Sequence, residues 1–320
     1  MKLGVFTVLF ANEQLETALD RVVDAGLDCV EIGTGNYPGD AHCRPAELLA
    51  DTSALAAFRR SIESRGLEIS ALSCHGNPLH PRQEVAASSH ETFVRTVELA
   101  GRLGVGRVNL FSGCPGDSDS ADYPNWVTCA WPTEYADLLE WQWREKVIPY
   151  WQEQAAMASE AGIRLGFEMH PGFVVYNPET MLRLRAIAGP SVGANLDPSH
   201  LFWQGIDPIA AIRVLGDAIH YVHAKDTQLF SANVSRNGVL DTKSYTNERD
   251  RSWIFRTVGY GHSAEWWSEF ISTLRMYGYD NVLSIEHEDS LMSPDEGLSK
   301  AASLLSQVII KEKPAAAWWV

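Results

Sequence analysis

Short apolar runs recur along the chain with room for a helix between them. They are "KLGVFTV" (2–8), "DCVEIG" (28–33), "EISALSC" (68–74), "RVNLFS" (107–112), "RLGFEMH" (164–170), "SVGANLD" (191–197), "IHYVHAK" (219–225) and "NVLSIEH" (281–287). Each has the length of a strand and the Val, Ile, Leu and Phe content of one buried on both faces. Helix-like segments fill the intervals at 13–26, 52–66, 88–104, 134–162, 178–189, 206–216 and 263–278, with a last one at 294–311. Several stop at Gly, in "DAGLD", "ESRGLE", "EAGIR" and "MYGYD", as helices commonly do. This alternation predicts an α/β fold, a single (β/α)8 barrel over 1–320 with 312–320 as a C-terminal tail. An open doubly wound sheet is the alternative on the same pattern.

Two connections are long, 113–133 after the fourth strand and 226–262 after the seventh. Both leave the C-terminal ends of strands, the face where barrel enzymes build their sites, so they read as lids or substrate walls. No linker rich in Pro, Gly or Ser and no charge block divides the chain.

Composition narrows the partners. The 26 Lys and Arg against 41 Asp and Glu give a formal charge of -15, which repels phosphate backbones and anionic membranes. No basic patch offsets it, so neither nucleic acid nor membrane is expected. The five cysteines show no C-x-x-C pair, which argues against a disulfide framework or a zinc ribbon. The N-terminal "MKLGVFTVLF" lacks the pattern of a signal peptide, and a cytoplasmic address is expected.

Polar residues then stand out at the strand ends: Glu31, His75, Asn109, Ser112, Glu168, His170, Asp197, His200, His223, Lys225, Glu286 and His287. Burying such groups without partners is costly. Each has an ordinary reading. Asp197 before Pro198 suits a helix N-cap, His223 a hydrogen-bonded core histidine, and Glu286 a carboxylate facing water. Glu168, in "LGFEMHPGF", has apolar neighbours on both sides. Four at one height in a barrel are better explained together, as ligands of one divalent cation. An oxygen-rich set suits Mn²⁺ first, then Mg²⁺, Co²⁺ or Fe²⁺, and Zn²⁺ less.

At these residues the sequence resembles the sugar phosphate isomerase/epimerase superfamily, the xylose isomerase-like TIM barrels that include the AP endonuclease family 2. The resemblance spans nearly the whole chain and rests on "FEMHPG", "NLDPSHLFWQGIDP", "VHAKD", "VGYGH" and "SIEHED" in order. It implies one metal held by Glu168, Asp197, His223 and Glu286, with Glu168 and Glu286 also moving the proton. It implies His200 as a substrate contact. His75, Lys225, Trp203, His262 and Glu31 are further candidates for substrate binding, Glu31 alternatively orienting a ligand from behind.

The implied chemistry stands on general grounds. A proton beside a sugar carbonyl is too weakly acidic to leave unaided. A divalent ion on that carbonyl stabilises the enediolate as a Lewis acid, and a carboxylate then takes the proton. Return of the proton from the opposite face epimerises, return to the neighbouring carbon isomerises, and loss of a β-substituent eliminates. The chain departs from the ketose epimerases in two places: "AKDTQLF" lacks their Arg, and Val174 stands where they have a Glu. Aromatic residues are abundant in the loops instead: Tyr123, Trp126, Trp131, Trp203, Trp253 and Phe255. Such faces suit a sugar ring or glycoside, or pack the loops themselves.

The expected function is a metal-dependent isomerase or epimerase of a keto-sugar, 3-keto-glycoside or inositol derivative. The alternative is a lyase of the same fold, an inosose-type dehydratase or a deglycosidase subunit acting on a 3-keto-C-glycoside. A DNA-repair endonuclease fits the charge poorly, and a non-catalytic barrel subunit is the remaining reading. A homo-oligomer is expected; a small partner chain, as in the superfamily's C-glycoside-cleaving enzymes, is left open. The tail ends in Trp318 and Trp319, expected to dock on the barrel or on a second subunit.

Overall fold

A computed structural model describes residues 1–313, 315–317 and 319–320. Its strands are β1 (Lys2–Phe6), β2 (Cys29–Gly33), β3 (Glu68–Ser73), β4 (Arg107–Leu110), β5 (Arg164–Glu168), β6 (Val192–Leu196), β7 (Ile219–Ala224), β8 (Asp226–Leu229), β9 (Trp253–Arg256) and β10 (Val282–Ile285). β1 to β7 and β10 close into a barrel of eight parallel strands, with β10 between β7 and β1. The expected (β/α)8 barrel is therefore the fold, and the open sheet is excluded.

The strands close because their apolar side chains are covered on both faces. Every residue of β2, β6, β7 and β10 is buried. The four glycines read as helix stops, Gly26, Gly66, Gly162 and Gly278, all have φ between 70° and 90°, a region that only Gly enters cheaply.

Two segments differ from expectation. The helix expected over 134–162 is Thr133–Trp141 and Ile148–Glu160 joined by a π-helical stretch, Gln142–Val147. There the Gln142 amide donates to the carbonyls of Gly116 and Asn125 and so pins the fourth connection. The seventh connection is not a bare loop. β8 and β9 pair antiparallel, and the helix Ser231–Asn237 lies between them. Of the terminal tryptophans, Trp319 is 73% exposed, and Trp318 lies outside the described residues. Among the described residues, no helix is long and apolar enough to cross a membrane.

Close packing outside the barrel wall gives one prediction. A Cβ on Gly193, in β6, would collide with the Ala218 carbonyl and lie 2.6 Å from the His220 ring. Backbone cannot yield as a flexible side chain would, so Gly193→Ala is expected to cost about 1–3 kcal/mol. Equilibrium denaturation checks this; an unchanged midpoint would contradict the packing.

Candidate metal centre

The C-terminal ends of four neighbouring strands set the site. Glu168 is the last residue of β5, His223 the fifth of β7, and Asp197 and Glu286 each follow a strand directly. Glu168, Asp197, His223 and Glu286 each bring one ligand atom to within 4.8 Å of the others. This is the set expected from the sequence. Asp197 is a helix cap, and it also belongs to the cluster. Its Oδ1 accepts from the Ser199 N–H at 2.8 Å and caps the helix Pro198–Trp203, while Oδ2 is left for the site.

Beneath the four lies a buried polar layer. Glu31, fully buried, accepts from Ser73 Oγ, from Asn109 Nδ2 at 2.8 Å and from Ser284 Oγ at 2.7 Å. His223 Nε2 stands 3.0 Å from Glu31 Oε2, so Nδ1 faces Glu286 Oε2 at 3.1 Å and Glu168 Oε2 at 3.3 Å. A carboxylate behind a metal-binding imidazole fixes its ring and tautomer. Burial resists ionisation of Glu31, but His223 and the Ser73 and Asn109 donors hold its carboxyl below the ordinary range.

Neighbouring groups set the charge of each member of the cluster. Burial also resists ionisation of Glu168, yet His200, His223 and His75 hold it well below the usual carboxylate range. Burial opposes the His223 imidazolium, but Glu31 and Glu286 raise its proton affinity well above normal. Lys225 is likewise buried, and Asp197, Glu286 and Glu288 keep its ammonium charged. Its Nζ lies 2.7 Å from Glu286, 3.1 Å from Glu288 and 3.1 Å from Asp197 Oδ2. Asp197 Oδ2, His75 Nε2 and His200 Nε2 are buried with only ion-pair neighbours at 3.0–3.4 Å, and His200 Nδ1 is buried without a hydrogen-bond partner. Imidazole nitrogens stand 3.0–3.4 Å from carboxylate oxygens at His75, His200 and His223. Carboxylate and imidazole atoms crowded together this closely in a buried site fit a cation held in common.

A pH dependence follows. As a metal ligand His223 would have to be the neutral imidazole, so its raised proton affinity would make the proton a competitor at neutral pH. Mn²⁺ affinity is therefore expected to rise between about pH 6 and 8, up to about tenfold per unit where one proton is displaced. Titration calorimetry across that range checks it, and a flat profile would contradict it.

A cavity of about 260 Å³ opens onto the cluster, lined by His75, Glu168, His170, His200, Lys225 and Glu286 among others. A larger groove of about 540 Å³ runs between the helix Leu15–Asp24 and the helix Pro294–Val308. It touches no residue of the cluster. Of the expected substrate contacts, His75, His200 and Lys225 line the cavity. Three sit elsewhere. Trp203 is buried and stacks on Trp253 at 4.6 Å, with Phe255 beside Trp253, so these aromatics pack the seventh connection. His262 Nδ1 is bound to Asp226 at 2.7 Å, and its ring stacks on Phe202. Glu31 backs His223, the second of its two readings.

The fourth-loop aromatics also stand apart from the cavity, whose lining includes none of them. Tyr123 and Trp131 are exposed, and Trp126 packs on Tyr176 at 5.4 Å. Seven residues lining the cavity were given no role by the sequence: Phe6, Val8, Tyr37, Pro38, Phe111, His170 and Glu288. Glu288 shares Lys225 with Glu286, and its place two residues along in "SIEHED" was the available signal. Tyr37, Phe111 and His170 line the wall, with Phe111 stacked on Phe173 at 4.2 Å. Burial, then the nearby His200, lowers the His170 pKa to about 3, so this imidazole is neutral.

Comparison with known proteins agrees with this fold. A family model described as xylose isomerase-like TIM barrel matches residues 19–308. A Bacillus subtilis (strain 168) protein, YfiH, described as uncharacterized, is 39% identical over 312 residues, covering 97% of this chain and 99% of that one. Inosose dehydratase of Geobacillus kaustophilus (strain HTA426) is 29% identical over 108 residues, 33% of this chain and 35% of that one. A structure of D-psicose 3-epimerase in the presence of D-fructose shares the fold. Its TM-score is 0.62 at 15% identity, with 97% of this chain and 99% of that one covered.

Proposed function

The chain belongs to the xylose isomerase-like TIM barrel family, and from that premise we propose that it is a divalent-metal-dependent isomerase or epimerase. Its substrate is a small keto-sugar, 3-keto-glycoside or inositol derivative, deprotonated at the carbon next to the carbonyl. The observation that carries this reading is the convergence of Glu168, Asp197, His223 and Glu286, with Glu168 and Glu286 lining one cavity. Three carboxylates and one imidazole suit Mn²⁺, with Mg²⁺, Co²⁺, Fe²⁺ or Zn²⁺ as substitutes.

When bound there, a divalent ion supplies Lewis-acid polarisation of a carbonyl and its neighbouring hydroxyl. The side chains supply the rest. Glu168 and Glu286 come from β5 and β10, with β6 and β7 between them, so they reach the cavity from different sides. One takes the proton and the other returns it. Lys225, held by Glu286 and Glu288, points its ammonium at a substrate oxygen, and His75 and His200 face the remaining hydroxyls. Phe6, Tyr37 and Phe111 give the cavity an apolar wall for a ring face. Among the described residues Lys225 is the one Lys or Arg lining it, and it is already matched by carboxylates. A neutral substrate suits this balance better than a phosphorylated one.

A second reading, a lyase that dehydrates an inosose-like ring, is favoured by the inosose dehydratase relative. The same proton abstraction leads to it when a β-hydroxyl leaves. Incubation of the Mn²⁺-loaded protein in D2O with a panel of ketoses, 3-keto-glycosides and inososes separates the two. Deuterium in an isomeric product supports the first reading, and loss of water or aglycone supports the second. Neither exchange nor loss across the panel would overturn both.

A further inference from the structure

We propose that Lys225 is a built-in counter-ion that competes with the divalent cation for Asp197 and Glu286, and so sets how tightly the centre holds metal. This rests on the metal reading above and adds to it a residue that regulates occupancy of the site.

Asp197 has one oxygen to give. Its Oδ1 caps the helix Pro198–Trp203 through the Ser199 N–H at 2.8 Å, which leaves Oδ2 for a cation. Lys225 Nζ lies 3.1 Å from that same Oδ2. It also lies 2.7 Å from Glu286 Oε2, the oxygen that faces His223 Nδ1 at 3.1 Å. Ammonium and divalent ion therefore claim the same two oxygens. A metal ion takes such an oxygen at about 2 Å, and an ammonium left in contact with it would then face two further positive charges at close range.

The fold puts the ammonium there. Lys225 follows β7 directly, two residues after His223, so both side chains leave the same face of the chain toward the barrel mouth. Lys225 is 2% exposed, and a lysine so buried needs carboxylates around it. Its third partner differs from the other two. Glu288, at 3.1 Å from Nζ, has a half-exposed side chain and is not one of the four residues of the cluster. Phe255 adds a ring face, with Nζ 4.7 Å from its centroid. Glu288 and Phe255 together give the ammonium a station that no cation contests. A divalent ion that takes Asp197 and Glu286 leaves Lys225 to that station, on the wall of the cavity it already lines.

Two consequences of opposite sign follow. Carboxylates crowded into one buried site repel each other, and Lys225 offsets that repulsion in protein without metal. For the same reason it weakens the hold on the metal, since the ammonium must give up two partners. A lysine that only hydrogen-bonded the ligands into position would act the other way, and its removal would loosen the metal.

The test compares whole wild-type protein with Lys225→Met and Lys225→Gln, by calorimetric Mn²⁺ titration at fixed pH and by thermal unfolding with and without Mn²⁺. Met keeps the apolar stem, and Gln keeps a hydrogen bond to a carboxylate; neither carries the charge. Both variants are expected to bind Mn²⁺ at least about tenfold more tightly than wild type. Both should lose melting temperature in chelator-treated protein and regain it when Mn²⁺-saturated. Unchanged or weaker Mn²⁺ binding in either folded variant overturns the proposal and leaves the metal reading intact. A loss of melting temperature that Mn²⁺ does not restore, or failure of both variants to fold with Mn²⁺ present, also overturns it. No Mn²⁺ binding by wild type overturns both readings.

Discussion

Glu286→Gln is expected to lower turnover by about 10²–10⁴-fold, the usual contribution of a positioned general acid or base. The amide keeps the shape and one oxygen donor of the carboxylate but cannot take a proton. The loss should therefore fall on turnover at saturating Mn²⁺ more than on metal content. Lys225 sharpens the case, because it lies 2.7 Å from Glu286 and remains paired with Glu288 and Asp197 when Glu286 is neutralised. Glu168→Gln should lose turnover on the same scale. It should also bind metal less well, since Glu168 faces three imidazoles at once. Metal assay and product formation on each purified variant check both statements. Full metal and full turnover in both variants would sink the acid-base assignment.

Glu31→Gln is the second large effect, at a residue that does not line the cavity. Ser73, Asn109 and Ser284 donate to its oxygens, and His223 stands 3.0 Å from Oε2. An amide replaces one acceptor by a donor, so a buried donor must face another donor. Loss of such a support typically costs 10–100-fold in metal affinity, about 1.4–2.7 kcal/mol. Breaking a buried charge pair on one side costs about 3–5 kcal/mol of stability. Calorimetric Mn²⁺ titration and thermal unfolding would show both losses. Wild-type affinity in a folded variant would mean that Glu31 does not orient His223.

The barrel was legible because its strands are buried on both faces and its helices end on glycines. β2, β6 and β7 carry no exposed position to blur the run. The four ligand-set residues were legible only as a set. Asp197 taken singly reads as a helix cap, and it is one; the strand order made its second oxygen meaningful. Residues whose partners lie far along the chain were not legible. Asp226 shows this best. Its Oδ2 accepts from the N–H groups of Gly259, Gly261 and His262, which ties "VGYGH" to the end of β7. His262 therefore looks like a cavity residue in sequence and is a loop anchor in space. The same applies to Trp203, whose partner Trp253 is brought to it by the β8–β9 hairpin. Those strands are four residues each, too short to separate from loop by pattern alone.

The central claim is that Glu168, Asp197, His223 and Glu286 hold one divalent ion at the mouth of the barrel. Anomalous diffraction from Mn²⁺-soaked crystals, collected on either side of the manganese edge, tests it most directly. The account predicts a peak in the space the four residues enclose, lost in His223→Ala. A peak confined to other residues, or none there at saturating Mn²⁺, would contradict it.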